Sequence, residues 1–191
     1  MEGLPIKLES LSNKLLYKSL INKKIEPAIG PQKWLRIFNI DDVLYQNNLN
    51  NFLFRYLKEN KLKIFRWKLL QHILPTKKLL CRWKIVTNSS CNFCTQEEDY
   101  DHFFILCPYL KLFWNKINEV LNNSKITFKV KLRHLVFGYK TSEEEYFDLN
   151  YFLTIVGFSI YKAYYISDQK TKNVNVYSIF RNEFNRRVCL K

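Results

Sequence analysis

Cys91, Cys94, His102 and Cys107 place three thiols and one imidazole within seventeen residues, separated by two, seven and four positions. Three soft sulfurs and one ring nitrogen are the donor number and donor type that a tetrahedral zinc ion takes. The two-residue gap lets Cys91 and Cys94 turn back on one ion with Phe93 packed beneath them. Four protein donors leave no coordination position for water or substrate, so an ion held here braces a loop, the knuckle 91–107, and does no chemistry. The competing reading makes Cys91 and Cys107 ordinary buried thiols and His102 a satisfied core histidine. Cys81 and Cys189 stand outside the cluster and read as small apolar core residues.

Charge is distributed as unevenly as the cysteines. The chain carries a net charge of +14. Positions 51–90 hold ten basic residues against one acid, Glu59, whereas 91–107 hold four acids and no base. Such a basic balance points to a polyanionic partner, nucleic acid first, with a solvated lysine-rich surface as the alternative. With 47% hydrophobic and 16% aromatic residues in 191, the sequence can bury a core, and few glycines and prolines favour helices over many-stranded sheets. Five cysteines, an odd number, suit a reducing, intracellular compartment in which thiolates hold metal. Met1 to Lys24 has no uninterrupted apolar run of the secretory type. The most apolar stretch, Tyr151 to Tyr161, is too short to cross a bilayer.

Periodicity predicts a mainly α fold, a helical domain with the knuckle inserted. Ser12 is expected to cap a helix carrying Leu15, Leu16, Leu20 and Ile21 that ends near Pro27, Gly30 and Pro31, and a second helical segment to open at Asp41 and Asp42. From Leu62, one apolar line (Leu62, Phe65, Leu69, Ile73) and a second (Trp67, Leu70, Leu74) predict a helix sandwiched between neighbours, with Lys61, Lys63, Arg66 and Lys68 spread around it. Pro75 ends it. Thr76 is expected to cap the next helix, with Leu79, Leu80 and Trp83 inward and Lys77, Lys78, Arg82 and Lys84 outward as the better basic patch. After the knuckle, Pro108 is expected to start a helix burying Leu112, Phe113, Ile117, Val120 and Leu121. Residues 127–137 are ambiguous between strand and helix. A long helix is expected over Glu143 to Ile166 and a last one over Val176 to Val188. The divisions are an N-terminal helical segment 1–60, a core 61–115 and a C-terminal helical segment 116–191, forming one compact unit.

The run Ile64-Phe65-Arg66-Trp67-Lys68-Leu69-Leu70-Gln71-His72-Ile73-Leu74-Pro75-Thr76, then Leu80, the cysteine–histidine cluster, Cys107-Pro108 and Trp114, closely resembles the reverse transcriptase zinc-binding domain at the C-terminal end of the polyprotein of LINE-type, non-LTR retrotransposons. The likeness is dense from about Leu62 to Trp114. Weaker echoes lie in Lys14 to Leu20 and in Ile160-Tyr161-Lys162-Ala163-Tyr164. The resemblance implies that Cys91, Cys94, His102 and Cys107 bind Zn²⁺ and that Phe65, Trp67, Pro75 and Trp114 build the surrounding fold. It implies no catalytic residue, since in that family polymerase and endonuclease lie upstream, and it implies a reverse transcriptase domain as a partner in a full-length parent. Many relatives carry glycine directly after the second cysteine, where Thr95 stands here.

Three thiolates and a neutral imidazole around Zn²⁺ leave the centre one charge negative, and Glu97, Glu98, Asp99 and Asp101 add to it, so phosphate is expected to avoid the knuckle. The expected function is a non-catalytic accessory domain that touches the RNA or DNA backbone through Lys61, Lys63, Lys68, Lys77, Lys78, Arg82 and Lys84. Asp101 is a candidate to orient the His102 ring, a helix-capping or solvent role being the alternative. Tryptophans such as Trp83 are expected in the core more than as base platforms. The alternatives are a zinc-stabilised protein-interaction or structural module, and a relic fragment with no retained role.

Overall fold

The computed structural model describes residues 29–40, 56–140, 143–169 and 174–188. The helices expected at Ser12 and at Asp41, and Cys189, lie outside them. The described residues are mostly helical and contain no strand, only one antiparallel bridge between Ser90 and Glu97. Seven α-helices are described: α1 (Ile29–Phe38), α2 (Asn60–Leu70), α3 (Lys77–Arg82), α4 (Lys111–Asn123), α5 (Leu132–Phe137), α6 (Phe147–Gln169) and α7 (Val176–Val188). The ambiguous stretch 127–137 holds no strand: residues 127–131 belong to no regular element and Leu132–Phe137 form α5.

The long helix α6 is the centre of the packing. Leu153, Ile155, Val156, Ile160 and Ala163 are buried along it, so it is apolar nearly all round, as a core helix must be. It packs against α2, α5 and α7. Helix α2 turns Leu62, Phe65, Leu69 and Leu70 inward, and Phe65 meets α6 where Gly157 leaves room: a Cβ there would lie 3.3 Å from the Phe65 ring. Helix α1 crosses the end of α2 closely enough that a Cβ on Gly30 would collide with the Gln71 carbonyl oxygen, 1.6 Å away. Gly30 and Pro31, expected to terminate a helix, therefore belong to the first turn of one, where proline's missing N–H has no intrahelical partner to lose.

Several faces differ from the periodicity. Trp67 and Trp83 are 45% and 47% exposed and Leu112 is 75% exposed. α3 stops at Arg82, which puts Trp83 at its C-cap and beyond the inward face. Pro108 opens a 3₁₀ turn, Pro108–Leu110, and the α-helical register begins three residues later, which rotates Leu112 outward while Phe113, Ile117 and Leu121 stay buried. Similarly, Glu144–Tyr146 form a 3₁₀ turn ahead of α6. Arg66, counted among the distributed cations, is 1% exposed and donates from Nη1 to the Leu135 carbonyl. Burial lowers its guanidinium to about 9.

Helix α7 is tied down by charge in the interior. Glu183 receives Lys162 Nζ at 2.5 Å and Arg187 Nη1, and Arg187 Nε reaches Glu59, at the N-cap of α2, at 2.6 Å. Glu183 and Arg187 are both buried. Burial works against the charged Glu183 carboxylate, yet its two cations hold it down to about 2.

Candidate metal centre

The knuckle begins with backbone. Glu98 N–H donates to Ser89 O and Cys91 N–H to Gln96 O, at 2.9 and 2.7 Å, closing a short hairpin. Inside it Thr95 N–H returns to Cys91 O at 3.1 Å and Phe93 N–H points at Cys91 Sγ, 3.4 Å away. Cys91 and Cys94 thus face one point. Thr95 adopts φ = 63°, the left-handed conformation that glycine takes without strain and a β-branched residue does not. The positive-φ turn survives the threonine.

The other two donors come from a single turn of π-helix, His102–Leu106. Asp99 starts it by accepting His102 N–H on Oδ1 at 2.9 Å, and Cys107 N–H closes it on His102 O at 3.0 Å. That wide turn brings residues five apart to the same side, which an α-helical turn would not do. Asp101 makes no hydrogen bond to the His102 ring; the carboxylate that matters to His102 is Asp99, through the backbone.

All four donor atoms lie within 4.8 Å of one another. Cys91 Sγ is 3.9 Å and Cys94 Sγ 3.7 Å from Cys107 Sγ, and His102 Nε2 is 3.1 Å from Cys94 Sγ. Thiolates about 2.3 Å from zinc at tetrahedral angles sit about 3.8 Å apart. Donor set and spacing both fit that ion, with Cys91, Cys94, His102 and Cys107 as its four ligands. Cys81 is elsewhere, its Sγ 3.9 Å from the Thr87 carbonyl.

Two neighbours of the centre have no metal-ligand signature in the sequence. The Tyr164 hydroxyl, from α6, lies 3.5 Å from Cys91 Sγ. Its ring stacks on Phe103 at 4.2 Å and meets the edge of Phe93 at 4.7 Å. The hydrogen bond shared with Cys107 lowers the Cys91 thiol against its burial, with Tyr164 and the Phe93 N–H adding to the effect, while the same bond raises Cys107. Such donors favour the thiolate that a metal requires. The echo Ile160 to Tyr164 was the one sequence signal pointing at this residue.

The second neighbour is Glu98, 2% exposed. Its Oε1 accepts Lys77 N–H at 2.8 Å and its backbone carbonyl accepts Lys78 N–H at 3.1 Å, so the knuckle caps α3 from outside while Thr76 Oγ1, as expected, accepts Leu79 N–H at 3.3 Å. Burial, opposed by the Lys77 N–H, pushes the Glu98 carboxyl up to about 8. Lys78 Nζ lies 2.6 Å from Glu97 and 3.9 Å from Asp99. The acidic knuckle and the basic helix are therefore interlocked, not separate surfaces. Of the seven basic candidates, Lys61, Lys78, Arg82 and Lys84 are exposed, and Lys63, Lys68 and Lys77 are half-buried. Among the described residues Lys61, Lys63, Lys68, Arg82 and Lys84 form no ion pair.

Residues 33–114 match the family model for zinc-binding in reverse transcriptase. The match runs from α1 to Trp114 in α4 and includes every donor of the cluster. A zinc-binding, reverse-transcriptase-associated domain is thus supported by the family match and by the cluster alike. No curated protein and no solved structure matches the chain.

Proposed function

We propose that this chain is a non-catalytic, nucleic-acid-binding accessory domain in which zinc fixes the knuckle, and through it α3, against α6. The observation that carries the reading is the set of unpaired cations on α2 and at the end of α3: Lys61, Lys63, Lys68, Arg82 and Lys84 lack a carboxylate partner among the described residues. In a chain of net charge +14 they offer phosphate contacts that position a strand without reading its bases. Lys78, engaged by Glu97, and Lys77, at the capped end of α3, are secondary contributors. The four metal ligands leave no open coordination position, which supports a structural role for the ion. The likeness of Leu62 to Trp114 to the C-terminal domain of LINE-type, non-LTR elements supports an origin there, with a reverse transcriptase domain as the partner in a longer parent.

A salt series with generic single-stranded RNA tests this. Affinity should fall steeply with ionic strength, and replacing Lys61, Arg82 and Lys84 by glutamine should reduce the salt slope by up to about 2–3 units, at roughly 0.7–0.9 per lost phosphate contact. Glu97→Gln should tighten binding modestly by releasing Lys78. No binding at low salt would overturn the reading in favour of a protein-docking or purely structural module.

A further inference from the structure

The chain has four tryptophans, and the structure separates them into two pairs. The indole N–H of Trp34 donates to Leu69 O at 2.8 Å and that of Trp114 to Phe104 O at 3.0 Å. A tryptophan that serves a core buries its ring and satisfies its N–H in this way. Trp67 and Trp83 do neither. They are 45% and 47% exposed, and among the described residues neither N–H has a hydrogen-bond partner and neither ring meets another ring or a cation.

Both lie in the same tripeptide, Arg66-Trp67-Lys68 and Arg82-Trp83-Lys84. At the second, Lys84 N–H bonds Cys81 O at 2.9 Å and Ile85 N–H bonds Leu80 O at 3.0 Å, with Lys84 at φ = 59°. This pair of bonds around a left-handed residue is a Schellman turn, so the backbone presenting Trp83 is fixed although its side chain is not packed. Arg82, Lys84 and Ile85 are exposed beside it. On α2, Trp67 stands one helical turn beyond Lys63 and Ile64, the latter 54% exposed, while Arg66 points into the core.

An exposed ring with cations beside it offers a π-face to a base and charge to the adjoining phosphates, the combination that single-stranded nucleic acids need and that duplexes, with their bases stacked inside, cannot use. We infer that Trp67 and Trp83 are stacking platforms for the bases of a single-stranded nucleic acid, with Arg82 and Lys84 taking the phosphates beside Trp83. This rests on the nucleic-acid reading above and adds the strandedness of the ligand and the side chains that grip it.

The test uses the full, zinc-loaded chain and a fluorescent oligouridylate of about twelve nucleotides, within the usual footprint of such sites, measured by anisotropy over a salt series. Trp67→Ala and Trp83→Ala should each weaken binding roughly tenfold and leave the salt slope unchanged, because an indole neutralises no phosphate. Trp83→Phe should recover most of the affinity and Trp83→Leu should not. Duplex RNA of the same length should bind more weakly and respond to none of these changes. Zinc content and helicity serve as controls and should be constant, since both rings are outside the core. If the parent binds and the alanine variants bind equally well, or leucine serves as well as phenylalanine, the stacking inference is wrong while the proposed function stands. If the parent fails to bind at low salt, both fall.

Discussion

The knuckle and the α6–α7 hairpin are held by opposite means. The knuckle is a short hairpin and one π turn whose side chains converge on a point, and its four donors are drawn from a stretch of seventeen residues. The hairpin has no such point. It is held by apolar burial along α6 and by Glu183, Arg187 and Lys162, with Glu59 supplied from the far end of the sequence. In one region stability is concentrated in a ligand; in the other it is spread over packing and a buried charge group whose members are useless singly.

The sharpest way to break the comparison is to remove one donor. Cys94→Ser should release the metal and lower the melting temperature further than loss of the buried ion pairs does, because a structural zinc contributes on the order of 10 kcal/mol to a small domain. Metal analysis and melting with and without chelator measure it, and Cys81→Ser should leave both unchanged. Next comes the hairpin. Arg187→Met takes the buried partner from Glu183 and Glu59, leaving Lys162 and Arg186 to hold them, and should cost about 1.5–3 kcal/mol in urea denaturation, with the zinc content unaltered.

Protons should separate the regions more finely. Burial lowers His72 and His134 to about 4, so the unfolded chain takes up those protons near pH 6.5 and the folded chain does not. Their contribution is complete above about 6.5 and is lost as pH falls towards 4. Glu183, depressed to about 2, contributes above the ordinary carboxylate range and loses its contribution between about 4.5 and 2. His134 Nδ1 accepts Lys131 N–H at 3.1 Å, so His134→Asn, which keeps an acceptor and removes the titration, should flatten the melting-temperature profile between pH 6.5 and 4. The smallest effect is expected at the knuckle's strained turn: Thr95→Gly relieves a left-handed β-branched residue and should add about 0.5–1 kcal/mol to thermal stability.

The same contrast explains what could be read from residues alone. The donor set was legible because coordination imposes residue type and spacing together. The Thr76 cap and the helices over 143–166 and 176–188 were legible for a related reason, since their signals are local. Trp83 and Leu112 were misplaced because helical spacing gives a face only while the register is known, and α3 ends early while the α4 register begins after a 3₁₀ turn. Trp67 was misplaced because its side of α2 stays open, leaving it 45% exposed. Arg66 and Glu98 read as charges spread around their elements because nothing in their neighbourhood tells that Leu135 O and the start of α3 await them. Those partners are set by how distant elements pack.

Tyr164 decides where this protein can be cut. It brings its hydroxyl to Cys91 across 73 residues of sequence, and its ring covers Phe103. The stretch that matches the family model stops at Trp114 and omits it. A truncation at that boundary keeps every donor atom yet removes the lid of the metal centre and the helix that α2 leans on. The segment that similarity delimits is therefore smaller than the piece that folds, and an expression boundary that respects the metal centre has to include α6.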